Sequence, residues 1–182
     1  IELSFTPGGY INFEPAEEFT IGIDFSYIPN LIYINNYMAY KTKYSPQNPQ
    51  KYIGNPNNII CRSLWERRVC RFLDDNINIV RWGSEELHIP YYSPVDRKNH
   101  KYWPDFIVEK KDETGEVKTL VIEVKPKRQT QPPKQPKKKT KNFINECMTY
   151  ETNIAKWKAA KTYCESKGWD FIIVTELDIF SK

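Results

Sequence analysis

Residues 62–76, RSLWERRVCRFLDDN, carry their apolar side chains at helical spacing. At about 100° per residue, Trp65, Val69, Cys70, Phe72 and Leu73 fill one arc and Arg67, Arg68, Arg71, Asp74 and Asp75 the other. Ser63 supplies an N-cap and Asn76 a stop, so the pattern predicts an amphipathic helix with one packed face. A second helical pattern runs over 142–167 through Phe143, Cys147, Tyr150, Ile154, Trp157, Ala160 and Cys164, and Lys167 and Gly168 end it. Between the two, IVRWGSEELHIPYY reads as strand, turn and strand. YWPDFIVEKK and VKTLVIEVK flank the hairpin-like turn DETG. WDFIIVTEL reads as a final buried strand, and residues 41–60 are loop-like, with turn clusters SPQNPQ and GNPNN. The order α-β-β-β-α-β predicts an α/β fold: a mixed sheet with a helix on each side.

Composition divides the chain. Residues 1–37 hold Glu2, Glu14, Glu17, Glu18 and Asp24 and no Lys or Arg, a charge of −5; residues 38–182 hold 27 basic against 18 acidic residues, +9. With Ile1 first and Met38 at the change of composition, residues 1–37 are expected to be either an upstream extension or an added β-rich arm, and 38–182 the functional domain. The positive domain points to a polyanionic partner. Cys61, Cys70, Cys147 and Cys164 form no CxxC pair and only two His exist, which argues against structural zinc and for free thiols in a reducing compartment. No long apolar span appears, so no membrane partner is expected.

Candidate chemistry gathers on the hairpin. In TLVIEVK, strand alternation places Leu120, Ile122 and Val124 on one face and Val121, Glu123 and Lys125 on the other. Pro104 blocks pairing at its own position and Asp105 opens the preceding strand, so antiparallel pairing brings Asp105 toward Glu123 and Lys125. Two carboxylates and an ammonium make a hard-oxygen site for Mg²⁺ or Mn²⁺, with a lysine to orient or deprotonate water. Glu66 falls inside the apolar arc of the first helix. It either closes the capping box S-x-x-E of residues 63–66 or faces the metal site. Alone, Glu123 and Lys125 read equally as a strand-end salt bridge.

The arrangement E…PD…ExK resembles the PD-(D/E)xK nuclease superfamily, with its restriction-endonuclease-like fold. The stretches MAYKTKYSPQNPQKYIGNPNNIICRSLWERR, VRWGSEELHIPYYSP, EVKPKRQTQPP and KWKAAKTYCESKGWDFIIVTE resemble, within it, the head completion nucleases of T-even-type tailed phages. They are more distantly similar to transposon-end endonuclease subunits. The resemblance implies that Asp105 and Glu123 bind the metal with the Val124 carbonyl. It implies that Lys125 positions water and stabilises developing charge, and that Glu66 is a ligand or supports one. It implies DNA as substrate, no small-molecule cofactor, and a metal-dependent endonuclease in phage head completion, found in the virion or the host cytoplasm with neck or portal proteins as partners. The competing expectations are a non-enzymatic head-closure protein binding DNA ends and a repair or mobile-element nuclease of the same fold.

After the lysine comes a basic run. Lys125, Lys127, Arg128, Lys134, Lys137, Lys138, Lys139 and Lys141 occur with no acid, and Pro126, Pro132, Pro133 and Pro136 predict an extended, non-helical path. It reads as a backbone clamp, with Lys127, Arg128, Gln129 and Lys134 as DNA contacts and Arg62 joining from the helix entry. His88 is expected on a sheet face rather than in a proton relay, and Glu86 as an accessory acid facing the site beside Glu85. The tryptophans are expected in the core or covering the sheet, with Trp103 the candidate for stacking on a base.

Overall fold

The computed structural model describes residues 41–138 and 140–180, Phe180 by its backbone alone, so the expected extension 1–37 lies outside the described residues. Helix α1 spans Leu64–Asp75, α2 Lys141–Lys167 and α3 Glu176–Phe180. The strands are β1 Thr42–Tyr44, β2 Ile59–Cys61, β3 Ile79–Ser84, β4 Ile89–Ser93, β5 Lys98–Tyr102, β6 Phe106–Lys111, β7 Val117–Val124 and β8 Asp170–Val174. Four of them form the central sheet in the order β3-β6-β7-β8, and β1-β2 and β4-β5 form two-stranded sheets. Among the described strands β7 and β8 run parallel and the other pairs are antiparallel. The α/β class with a mixed sheet is therefore observed as expected.

Each main element has a local cause. Ser63 Oγ accepts the Glu66 N–H at 3.0 Å and starts α1. Gly168, at φ 68°, ends α2 in the left-handed conformation that lets Trp169 N–H reach back to the Cys164 carbonyl at 2.9 Å. In the β6–β7 turn, Asp112 Oδ1 accepts from Thr114 N–H, Thr114 Oγ1 and Glu116 N–H, and Gly115 takes φ 86°. Val69, Cys70 and Leu73 of α1 pack with Trp82, Phe106, Val108, Leu120, Ile122 and Val124 in one core. On the other face, Ala155, Ala159, Ala160 and Tyr163 of α2 pack against Ile89, Tyr91, Tyr102 and Phe171. A helix covers each side of the sheet, and β4–β5 sits beneath α2.

Several expectations change. The loop at 41–60 contains β1, β2 and a 3-10 turn at Pro49–Lys51. β5 is absent from the pattern because Lys98, Asn99, His100 and Lys101 face solvent and only Tyr102 is buried. The last strand stops at Val174. Thr175 Oγ1 accepts the Leu177 N–H at 3.2 Å and caps α3, and Ile179 then closes the core. The basic run is not extended throughout, for a 3-10 turn follows Pro126 at Lys127–Gln129. Cys61, Cys70 and Cys164 are buried free thiols and Cys147 is partly exposed.

Asp74 is the largest correction to the helical wheel. Placed on the polar arc, it is 0% exposed. Its Oδ2 accepts the Gln47 N–H at 2.6 Å and its Oδ1 the Asn48 N–H at 3.1 Å, while Lys51 Nζ caps its carbonyl at 2.9 Å. The acid pins the 44–51 segment to the C-terminal end of α1. Asp74→Ala is expected to lower stability by about 3 kcal/mol, because hydrogen bonds to a charged acceptor are lost. Urea unfolding should show a lower midpoint at unchanged slope. A wild-type midpoint would mean that the loop is held by something else.

Candidate active site

The site forms where the β6–β7 ladder runs out. Phe106 pairs with Ile122, and before it Pro104, buried and lacking an N–H, ends the pairing. The Val124 N–H therefore meets no strand on that side. Asp105 Oδ2 takes it at 2.6 Å, which fixes the carboxylate against the end of β7 beside Glu123. The other oxygen, Oδ1, accepts no hydrogen bond among the described residues. On the far side, Lys125 N–H donates to the Val174 carbonyl at 2.9 Å, so β8 holds the strand as it leaves the sheet.

Glu123 is 3% exposed, on the face opposite the α1 core. Tyr102 Oη donates to its Oε2 at 2.6 Å, and Lys125 Nζ pairs with its Oε1 at 2.9 Å. Burial, and next the charge of Glu123, push the Asp105 carboxyl well above its ordinary range, against the opposing pull of Lys125 and the Val124 N–H. Burial alone would lower the Lys125 ammonium, but Glu123 and Asp105 outweigh it and hold it above its usual value. Burial and the neighbouring Glu123 keep Tyr102 a phenol, and hence a donor.

Glu66 is in the cap. Its Oε1 accepts from Ser63 Oγ at 2.9 Å and its Oε2 from the Arg62 N–H at 2.6 Å. The reach goes one residue further back than in the usual capping box. Its charge is still felt at Asp105 and Lys125. Arg62 Nη1 pairs with Glu85 Oε2 at 2.9 Å, and the Glu85 N–H donates to the Asp105 carbonyl at 3.2 Å. Glu86 does not face the site: its Oε1 accepts from Tyr52 Oη at 3.2 Å and its carboxylate lies over Gly54. His88 is not on a sheet face either. It is exposed in the loop before β4, with its ring 6.2 Å from Trp103. Trp103 is 48% exposed, whereas Trp82 and Trp157 are buried. Lys127, Arg128 and Lys134 are exposed, Gln129 is partly exposed, and the Lys127 N–H is tied to Glu176 Oε2 at 2.7 Å.

Two residues were missed. Tyr102 holds Glu123, and Lys156 of α2 lies close enough for Glu123, Lys125 and Asp105 to act on it. Lys156 stands one turn before Ala160, at the edge of the apolar arc of α2. That is the same signal, a charge on an inner helix face, that singled out Glu66.

The donor set suits a hard divalent cation: two carboxylates side by side, one oxygen of Asp105 without a hydrogen bond, and lone pairs to spare on both oxygens of Glu123. Among the described residues no three His, Cys, Asp or Glu side chains cluster.

Residues 76–176 match the model of the TnsA-like endonuclease N-terminal family. The chain is 42% identical over 143 residues to the head completion nuclease of Enterobacteria phage T4, covering 76% of this chain and 93% of that protein. No solved structure matches it. The match agrees with the resemblance read from the motifs, and with it the mixed sheet is restriction-endonuclease-like.

The shared cap makes a separable test. Ser63→Ala and Glu66→Ala should each lower stability by about 1 kcal/mol. The double variant should lose less than the sum, because the two side chains share one hydrogen bond. Fully additive losses in urea unfolding would remove Glu66 from the cap.

Proposed function

We propose, for a chain that belongs to the TnsA-like endonuclease family, that it hydrolyses phosphodiester bonds within DNA using a divalent cation held by Asp105 and Glu123, and that it does so in completing a phage head. The observation that carries this reading is the convergence of Asp105, Glu123 and Lys125 at the end of β7. The name of the phage T4 relative supports the setting in head completion; neck or portal proteins as partners and the virion or host cytoplasm as the location are proposed with it.

The roles follow from the contacts. Asp105 is fixed by the Val124 N–H with Oδ1 turned free, and Glu123 is oriented by Tyr102, so the two carboxylates present donors from one strand end. The Val124 carbonyl follows Glu123 directly in sequence and is the proposed backbone ligand. Mg²⁺ or Mn²⁺ bound there would polarise the phosphate and make water more acidic. Lys125, paired with Glu123 Oε1 at 2.9 Å, would orient the attacking water and stabilise charge growing on the phosphoryl oxygens. Glu66 adds negative charge from the α1 cap without giving up its hydrogen bonds. Lys127, Arg128, Gln129 and Lys134 track the backbone leaving the site, and Arg62 approaches from the other side.

Purified protein with supercoiled plasmid should nick in Mg²⁺ or Mn²⁺ and stop in EDTA. Asp105→Ala and Lys125→Ala should each lower the rate by about 100-fold or more, the range for loss of a group that stabilises transition-state charge. Cleavage that survives both substitutions would falsify the site. Retained DNA binding with no cleavage under any condition would favour the head-closure role.

A further inference from the structure

Lys156 is a half-buried ammonium with no ion pair and no hydrogen bond among the described residues. Its Nζ lies 5.8 Å from the ring centre of Tyr91 and 5.7 Å from that of Tyr102. Those rings belong to the paired strands β4 and β5, where Tyr102 lies opposite Ile89 and Tyr91 opposite His100. The hairpin thus offers two tyrosine rings to one cation from α2. The same Tyr102 gives its hydroxyl to Glu123. One phenol therefore touches the carboxylate with its oxygen and the ammonium with its ring.

A cation withdrawn from water without a carboxylate partner is unfavourable. Ring faces offset part of that, and Glu123 and Asp105 attract the ammonium while Lys125 repels it. Lys125 already occupies Glu123 Oε1 and Tyr102 occupies Oε2, so Lys156 stands beside the acids with its three donors unspent. Half-exposed, they are open to an anion arriving from outside. Burial also pushes the ammonium below its ordinary value, and an arriving anion reverses that.

We propose that Lys156, seated between Tyr91 and Tyr102, forms a phosphate subsite that grips a DNA backbone phosphate at or next to the scissile bond. This rests on the nuclease reading for its biological meaning. It places a substrate contact on α2, separate from the basic run after β7. Tyr91 and Tyr102 keep the side chain aligned before DNA arrives, so the contact forms with little loss of rotamer freedom.

The test compares the full chain with Lys156→Met, which keeps the apolar stem, and with Lys156→Arg, which keeps the charge. Duplex binding is measured in EDTA over a range of salt, and plasmid nicking in Mg²⁺. Lys156→Met is expected to reduce the slope of log affinity against log salt by about one. It should also reduce kcat/KM about 10-fold or more, with the melting temperature unchanged, and Lys156→Arg should recover most of both. A wild-type slope in Lys156→Met overturns the subsite. If nicking nevertheless falls, the lysine serves only as a counter-charge to Glu123. Should Lys156→Met unfold, Lys156→Gln is read by the same slope. A wild type that binds but never nicks defeats the nuclease reading, while the slope still decides Lys156.

Discussion

One unfilled position in a β-ladder organises the site. Pro104 has no N–H to give and stops β6 from running on beside β7. The Val124 N–H on that edge would be left without a partner, and a buried unpaired donor is costly. Asp105 supplies the acceptor at 2.6 Å. The strand end is thereby satisfied by a side chain instead of a backbone carbonyl, and a carboxylate is fixed beside Glu123. The sequence PD has a structural reason that comes before any chemistry: the proline opens the gap and the aspartate fills it.

Filling the gap brings two acids together away from water, which is unstable by itself. The surroundings spread the load. Lys125 pairs with Glu123 from the same strand, Tyr102 donates from β5, and Lys156 adds positive charge from α2. These partners come from three elements, so the site exists only once the hairpin and the long helix have docked on the sheet. The hydrophobic contacts of Ile89, Tyr91 and Tyr102 with Ala160 are what dock them. Core packing on that face and charge balance at the acids therefore depend on one another through Tyr102, which takes part in both.

Periodicity made the central features legible. The two long helices, the β6–β7 hairpin and the approach of Asp105 to the end of β7 all follow from spacing, caps and a proline. It failed where a residue's surroundings come from elsewhere in the chain. Asp74 reads as a surface acid on a helical wheel, yet the 44–51 segment folds over it, and no wheel contains that segment. β5 was hidden because four of its five residues face solvent. Glu86 turns to Tyr52 rather than to the acids, a choice made by the loop at Gly54. Tyr102 lies two residues before Pro104, yet nothing local says that its hydroxyl crosses to Glu123. Lys156 carried a signal, its place on the inner edge of α2, that the apolar count passed over.

The same network links Glu66 to the acids. Its carboxylate holds the Arg62 N–H, the Arg62 side chain holds Glu85, and the Glu85 N–H holds the carbonyl of Asp105. Glu85 adopts φ 56°, a left-handed conformation uncommon outside glycine, to make that last bond. The start of α1 is thus tied, bond by bond, to the residue that fills the gap at β7. Arg62 and Glu85 are exposed, so their ion pair contributes little stability. Its effect is geometric: it sets where the cap and the carboxylate stand relative to each other. An inward acid on a leading helix, read first as a choice between cap and metal site, sits in the cap and is connected from there to Asp105.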